Sequence, residues 1–250
     1  MKTLIKLLLL AFLINTGWTG EIQGQKSDDN KLSKAEKKEG WILMFNGKNT
    51  KHWRGWQKPE PPGVWSASDG TLFCKALKND EAEPGQKGYI IYDEEFSNFH
   101  LKVDWKISEG GNSGVFYLGA EKGYSSIVNT APELQVLDNE RHPDGKKGKN
   151  GNRLSGALYD LIPAVPQNAN PAGEWNSVEV IVKDGHVKHI MNGEEVLSFQ
   201  LWTEEWKELV SGSKFPGIRE DWYDVPRKGV VGLQDHGNDV WFKNIKIKKL

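Results

Sequence analysis

In the stretch PELQVLDNERH, residues 132 to 142, a carboxylate and a carboxamide alternate with aliphatic side chains. On a β-strand Glu133 and Gln135 would share one face, with Leu134 and Val136 on the other. Two other segments repeat the pattern. In VDWKIS, Asp104 and Lys106 share a face opposite Val103, Trp105 and Ile107. In VGLQDHG, Gln234 and His236 share a face, opposed less cleanly by Leu233 and Asp235. If these strands lie in one sheet, their polar faces collect carboxylates, an amine, two amides and an imidazole. That set suits acid–base chemistry or recognition of a polyhydroxylated ligand. Taken singly, each pair is explained at least as well by the solvated face of an antiparallel sheet. Gln, Glu and His, in place of the usual Lys, Glu and Thr, bring the two readings level.

The remaining polar motifs carry less. GGNSGVFYLG reads as a tight turn into a strand, from which Asn112 could aim its amide at a ligand. Asp138, at the end of its strand, either assists Glu133 or caps a turn. HPDGKKGKNGN lacks the spacing and acidic density of a calcium loop. His52, His100, His142, His186 and His189 show no metal-site spacing. Neither a serine elbow nor a Gly-rich phosphate loop is visible.

The elements that must position these residues are short strands. Turn signals recur in FNGKN, ASDGTL, KDGHV and MNGEE, and strand-like runs such as FHLKVDWKI, NSVEVIVKDG and DVWFKNIKIKK lie between such turns. One helix is predicted in LWTEEWKELVSG, with Thr203 as N-cap and Gly212 near its end. The Gly-, Pro-, Asn- and Lys-rich insertion from Arg141 to Asn170 predicts long loops at one end of a β-sandwich or barrel.

Composition bounds the rest. The 250 residues suffice for one large domain, and a net charge of -1 gives no electrostatic case for nucleic acid or an anionic membrane. Eleven Trp residues, more than Tyr or Phe, lean toward stacking on sugars as well as toward core packing. Residues 1–20 have the pattern of a signal peptide: Lys2 and Lys6 precede an apolar run, Leu7 to Ile14, too short to span a bilayer. No Cys follows it, so a lipid anchor is not expected. The single Cys74 excludes an internal disulfide, which fits an exported protein of a bacterial periplasm or envelope. Residues 21–38 read as a flexible charged linker, and 39–250 as the folded domain.

The order of motifs GWILMFNGKNTKHWRGW, VWSASDGTLFCK, NSGVFY, PELQVLDNE, GALYDL, GEWN, SKFP and GVVGLQDHGNDVWFKNI resembles the 3-keto-disaccharide hydrolase domain family across residues 39 to 250. The sequence departs from the family pattern at Leu118, where a basic residue is common, and at Arg153 and Leu154, where many members carry a His–Thr type pair. The resemblance implies an all-β, concanavalin-like jelly-roll sandwich with one short helix and long loops. It also implies cleavage of glycosides already oxidised at C3. A keto group there acidifies C2–H, a base removes that proton, the C1 aglycone is eliminated, and water adds to the enone. On that reading Glu133 and His236 transfer protons and Lys106 stabilises the enolate. Gln135, Gln234, Asn112, Asp104 and Tyr117 hold substrate. Asp138 could bind substrate, orient His236 or ligate a divalent metal ion, the one cofactor the reading leaves room for without requiring it. A separate sugar 3-dehydrogenase would supply the oxidised glycoside, so no nicotinamide is needed here. Two other readings remain: a non-catalytic carbohydrate-binding module on the same sandwich, and a conventional glycosidase using Glu133 and Asp104 as paired carboxylates.

Overall fold

Residue-by-residue alternation of buried and half-exposed side chains runs the full length of the segment Phe99–Ile107, the mark of a strand with one face on a core. The computed structural model describes residues 29–250, and thirteen such strands organise them. They are β1 (Trp41–Leu43), β2 (Trp53–Gly55), β3 (Trp65–Ser68), β4 (Thr71–Cys74), β5 (Ile90–Phe96), β6 (Phe99–Ile107) and β7 (Asn112–Gly119). After these come β8 (Glu133–Leu137), β9 (Asn176–Lys183), β10 (His186–Met191), β11 (Glu194–Gln200), β12 (Gly229–Leu233) and β13 (Val240–Lys249).

The strands form two antiparallel sheets. The larger runs β11-β10-β9-β6-β13-β4-β3, with β1 also paired to β13; the smaller runs β2-β5-β12-β7-β8. Val103, Trp105, Val178 and Phe242 from the larger sheet meet Val115, Leu134, Val136 and Leu233 from the smaller in one apolar core. This is the expected all-β sandwich.

The predicted helix is α2 (Glu204–Ser211); the Thr203 hydroxyl accepts from Trp206 N at 3.1 Å, and Gly212 caps the other end. A second helix, α1 (Lys34–Lys38), lies inside the segment expected to be a flexible linker. A reciprocal Ser33–Glu36 capping box starts it, and Lys246 of β13 pairs with Glu36. Just before it, Asn30 donates through Nδ2 to Gly70 O at 2.7 Å and accepts from Asn244 N at 2.9 Å. Polar docking holds a stretch that an apolar pattern could not reveal. The predicted signal peptide and residues 21–28 lie outside the described residues.

The insertion from Arg141 to Asn170 does more than loop. Its residues 156–159 return alongside β8: Gly156 N donates to Gln135 O, Gln135 N to Ala157 O, and Tyr159 N to Glu133 O. The free edge of β8 is thereby covered.

Candidate active site

On β8 the side chains of Leu134 and Val136 enter the core, so Glu133 and Gln135 must face out from the sandwich. They do not face water, for Glu133 is 8% exposed and Gln135 1%. Together with loops from elsewhere in the chain they line a cavity of about 220 Å³.

Gly114 of β7 lies opposite Gln135, and the Glu133 carboxylate occupies the space that a side chain there would fill. A Cβ at position 114 would stand 1.9 Å from Glu133 Oε1. Just past the end of β12, Gln234 N donates to Gly114 O at 3.0 Å, and Gln234 Nε2 donates to Glu133 Oε1 at 3.0 Å. Burial pushes the Glu133 carboxyl up to about 8, although Lys214 and the Gln234 hydrogen bond draw it down. Burial likewise holds His236 below its ordinary value, against the pull of Asp144 and Asp235. The two groups are therefore displaced in opposite directions, each toward its neutral form. Around them the amide oxygens of Asn112, Gln135 and Gln234 are buried without a hydrogen-bond partner. Buried acceptors are normally satisfied, and three orphans in one cavity point to a hydroxyl-bearing ligand.

A chain of polar contacts closes one wall. Lys214 Nζ donates to Tyr159 Oη at 2.9 Å, and Tyr159 Oη donates to Asp144 Oδ2 at 2.8 Å. Arg153 donates through Nη1 to Asp144 at 2.9 Å and through Nε to Asp160 at 2.5 Å. Arg153, one of the departures from the family pattern, is thus the bridge that fixes the wall. Desolvation lowers the Lys214 ammonium below its ordinary value.

Of the residues singled out in the sequence, Glu133, Gln135, Gln234, His236 and Asn112 come together in this cavity. The others do not. Asp104 and Lys106 lie on β6, in the larger sheet, on the face turned away from the core. There Asp104 accepts from Asn244 Nδ2 at 2.7 Å, and Lys106 Nζ lies 4.7 Å from the Trp241 ring centroid. Tyr117 falls on the core-facing parity of β7 and is fully buried, its hydroxyl 2.9 Å from His189 Nε2 on β10. Asp138 caps the turn after β8: its carboxylate accepts from the backbone N–H of Gly110, Glu140 and Arg141. Burial alone would raise its pKa, but these donors hold it below the ordinary value. With both Asp138 oxygens so engaged, the residues do not fit a metal ion there, and no group of three or more His, Cys, Asp or Glu placed to hold a metal occurs among the described residues.

Alternation could not find Lys214 and Tyr159, because both sit on loops. Their only traces were the motifs SKFP and GALYDL, to which no role was attached. The tryptophans among the described residues also fall elsewhere: the ring-bearing residues of the cavity are Tyr89, Tyr159, Phe215 and His236, and none of those tryptophans lines it.

Residues 40–248 match the family model described as a 3-keto-alpha-glucoside-1,2-lyase-like domain. A Bacteroides thetaiotaomicron protein named 3-keto-disaccharide hydrolase is 43% identical over 231 residues, which cover 85% of this chain and 79% of that protein. A candidate glycosyl hydrolase from Parabacteroides distasonis, solved by crystallography, aligns with a TM-score of 0.77 at 35% identity, covering 89% of this chain and 99% of the other. A second from the same organism aligns with a TM-score of 0.63 at 28% identity, covering 84% and 99%. By sequence and by fold, the chain belongs to the 3-keto-alpha-glucoside-1,2-lyase-like domain family.

Proposed function

We propose that the protein hydrolyses 3-keto-glycosides by removing the C2 proton, eliminating the C1 aglycone and adding water. The coarse activity, hydrolysis of glycosides, is supported by family membership and by the named relative. The finer mechanism rests on one observation. A carboxyl that burial pushes up to about 8 and an imidazole that desolvation holds below its ordinary value share a cavity with three unpartnered amide oxygens.

Opposed displacements of this kind assign acid and base. Neutral His236 takes the C2 proton, and the electron pair moves into the C3 carbonyl to form an enolate. Protonated Glu133 delivers its proton to the glycosidic oxygen as the C1–O bond breaks, leaving an enone. For the addition the roles reverse: the Glu133 carboxylate takes a proton from water attacking C1, and the imidazolium returns one to C2. The enolate needs a donor, and Lys106 is on the other sheet; the Lys214 ammonium, which has N–H groups beyond the one given to Tyr159 Oη, takes that part. The orphan amide oxygens of Asn112, Gln135 and Gln234 accept from sugar hydroxyls.

A conventional glycosidase requires two carboxylates flanking the bond. Among the described residues Glu133 is the sole carboxylate lining the cavity, and Asp104 is a sheet away. The same proposal includes export, from the Lys2/Lys6-plus-apolar pattern at the start, and supply of substrate by a separate sugar 3-dehydrogenase.

The test is aglycone release from oxidised and unoxidised disaccharides by wild type, His236→Ala and Glu133→Gln. Cleavage of the keto form alone, reduced by about 10²-fold or more in each variant, is the expected result. Cleavage of the plain sugar returns the case to a conventional glycosidase, and binding without turnover to a binding module. Full activity in both variants overturns the assignment.

A further inference from the structure

The cavity has two unlike halves. Its floor, from β7, β8 and Gln234 just after β12, carries the amides and Glu133, with the more exposed His236 beside them. Part of its rim carries Val128, Ala131, Phe215 and Ile218, whose side chains offer no hydrogen-bonding atom at all. Ile218 is 41% exposed, one of three exposed large apolar side chains among the described residues, and the only one of the three that lines this cavity. A residue that both lines a cavity and meets solvent stands at its mouth, so Ile218 shares the mouth with the exposed Lys214 and His236.

This rim is stiff. Phe215 stacks on Trp222 with ring centroids 4.0 Å apart, and Trp222 Nε1 donates to Val128 O at 3.0 Å. The rim's two sides, the turn at 215–218 and the segment at 128, are thus tied through one indole. The polar neighbour Arg219 turns elsewhere, donating to Tyr124 Oη at 3.0 Å and to Asp224 O at 3.3 Å. Hydroxyls placed over Val128 and Ile218 would give up water and find no partner, whereas an apolar group would cover both.

The other way out passes Tyr89 and His236 into an adjoining groove lined by Asn79, Lys87 and Asp235. Its carboxylate is already committed to backbone, Asp235 accepting from Gly88 N and Gly237 N, and Lys87 Nζ gives one of its donors to Leu77 O.

Resting on the reaction proposed above, we infer that the aglycone leaves across Val128 and Ile218 and is an apolar or aromatic group rather than a second sugar. The preferred substrates are then 3-keto-glucosides of apolar alcohols. Benzyl and glucosyl aglycones make a suitable comparison, because both leave as alcohols on protonation by Glu133 and neither is an activated phenol.

The experiment measures kcat/KM for benzyl, methyl and glucosyl 3-keto-glucosides, as both anomers, with wild type, Ile218→Ser and Val128→Thr. Wild type is expected to favour benzyl over glucosyl by about tenfold, the range one apolar contact supplies in a hydrophobic pocket. The benzyl-to-methyl ratio should fall several-fold in each variant. Equal turnover of benzyl and glucosyl substrates, or a ratio unmoved by both substitutions, overturns the inference and leaves the reaction standing. A preference for the glucosyl substrate also overturns it and assigns the exit to the Asn79–Lys87–Asp235 groove. Turnover of none of the three removes the reaction itself, and the inference with it.

Discussion

Glu133 can lie where it does because residue 114 has no side chain. An alanine there would put its Cβ 1.9 Å from the carboxylate oxygen and 2.7 Å from its carbon, both far inside contact distance. Gly114→Ala should therefore leave the sandwich folded, by circular dichroism, yet displace the carboxylate. A misplacement of about 1 Å costs roughly 10²-fold in rate, so kcat/KM on a 3-keto-glucoside should fall by that order. The proton inventory predicts a pH profile as well. Activity requires His236 neutral and Glu133 protonated. It should rise as pH climbs through a value below the ordinary 6.5 of an imidazole and fall through about 8. Glu133→Gln should abolish the basic limb along with most of the rate. A profile that keeps climbing past pH 9 would contradict the role of Glu133 as acid.

At the scale of elements, the segment carrying Lys214 and Phe215 is held by a column of rings. Phe199 on β11 stacks on Trp206 of α2 at 5.4 Å, Trp206 meets Trp222 at 6.2 Å, and Trp222 stacks on Phe215. Each indole is also anchored at its nitrogen, Trp206 to Tyr223 O and Trp222 to Val128 O. Ring contacts plus burial of Trp206, Trp222 and Phe215 make this column expensive to interrupt. Trp222→Ala should destabilise the protein by about 3–5 kcal/mol in urea titration, and Thr203→Ala, which removes only the helix cap, by about 1 kcal/mol. Comparable losses in the two variants would show that the column does not hold the segment.

For the molecule as a whole, the two sheets divide the labour. The smaller sheet's outward face carries the cavity, walled by Tyr159 and by residues of the 213–218 turn, while the larger sheet's is a half-exposed surface of Lys, Trp and carboxylate side chains. Lys106→Ala and Asp104→Asn should therefore leave kcat/KM on a 3-keto-glucoside unchanged; a large loss in either would place the chemistry on the wrong sheet. The buried carboxyl also leaves its mark on global stability. Glu133 titrates near 8 in the fold against its ordinary 4.5, so between those values the native state keeps a proton that the unfolded chain releases. That stability is fully present below pH 4.5 and declines by up to about 1.4 kcal/mol per pH unit as pH rises toward 8. Thermal melts of Glu133→Gln should thus gain on wild type between pH 5 and pH 8. A difference that does not change with pH would mean that Glu133 is ionised in the fold.

Much of this was legible in the chain. Strand parity is a local property, set by successive side chains pointing to opposite faces, so Glu133 and Gln135 could be paired from the sequence. Gln234 and His236 also reach the cavity, but from the segment past the end of β12 rather than from the strand expected there. The α2 caps, equally local, were legible too. The motif order carried the family and the sandwich. Parity cannot say which strands share a sheet, however. That depends on which apolar faces meet in the core, and it sent β6 with Asp104 and Lys106 to one sheet and β8 to the other. Nor does it mark which face of β7 is the core, and so Tyr117 was misplaced. Docking of residues 29–39 came from caps and ion pairs, and Lys214 and Tyr159 reached the cavity on loops without periodicity. The amino-acid sequence by itself determined which polar residues stand side by side on each strand. Only the tertiary structure decided which pairs converge, because the Gln234–Glu133 contact closes across 101 residues of chain and rests on packing that no local pattern encodes.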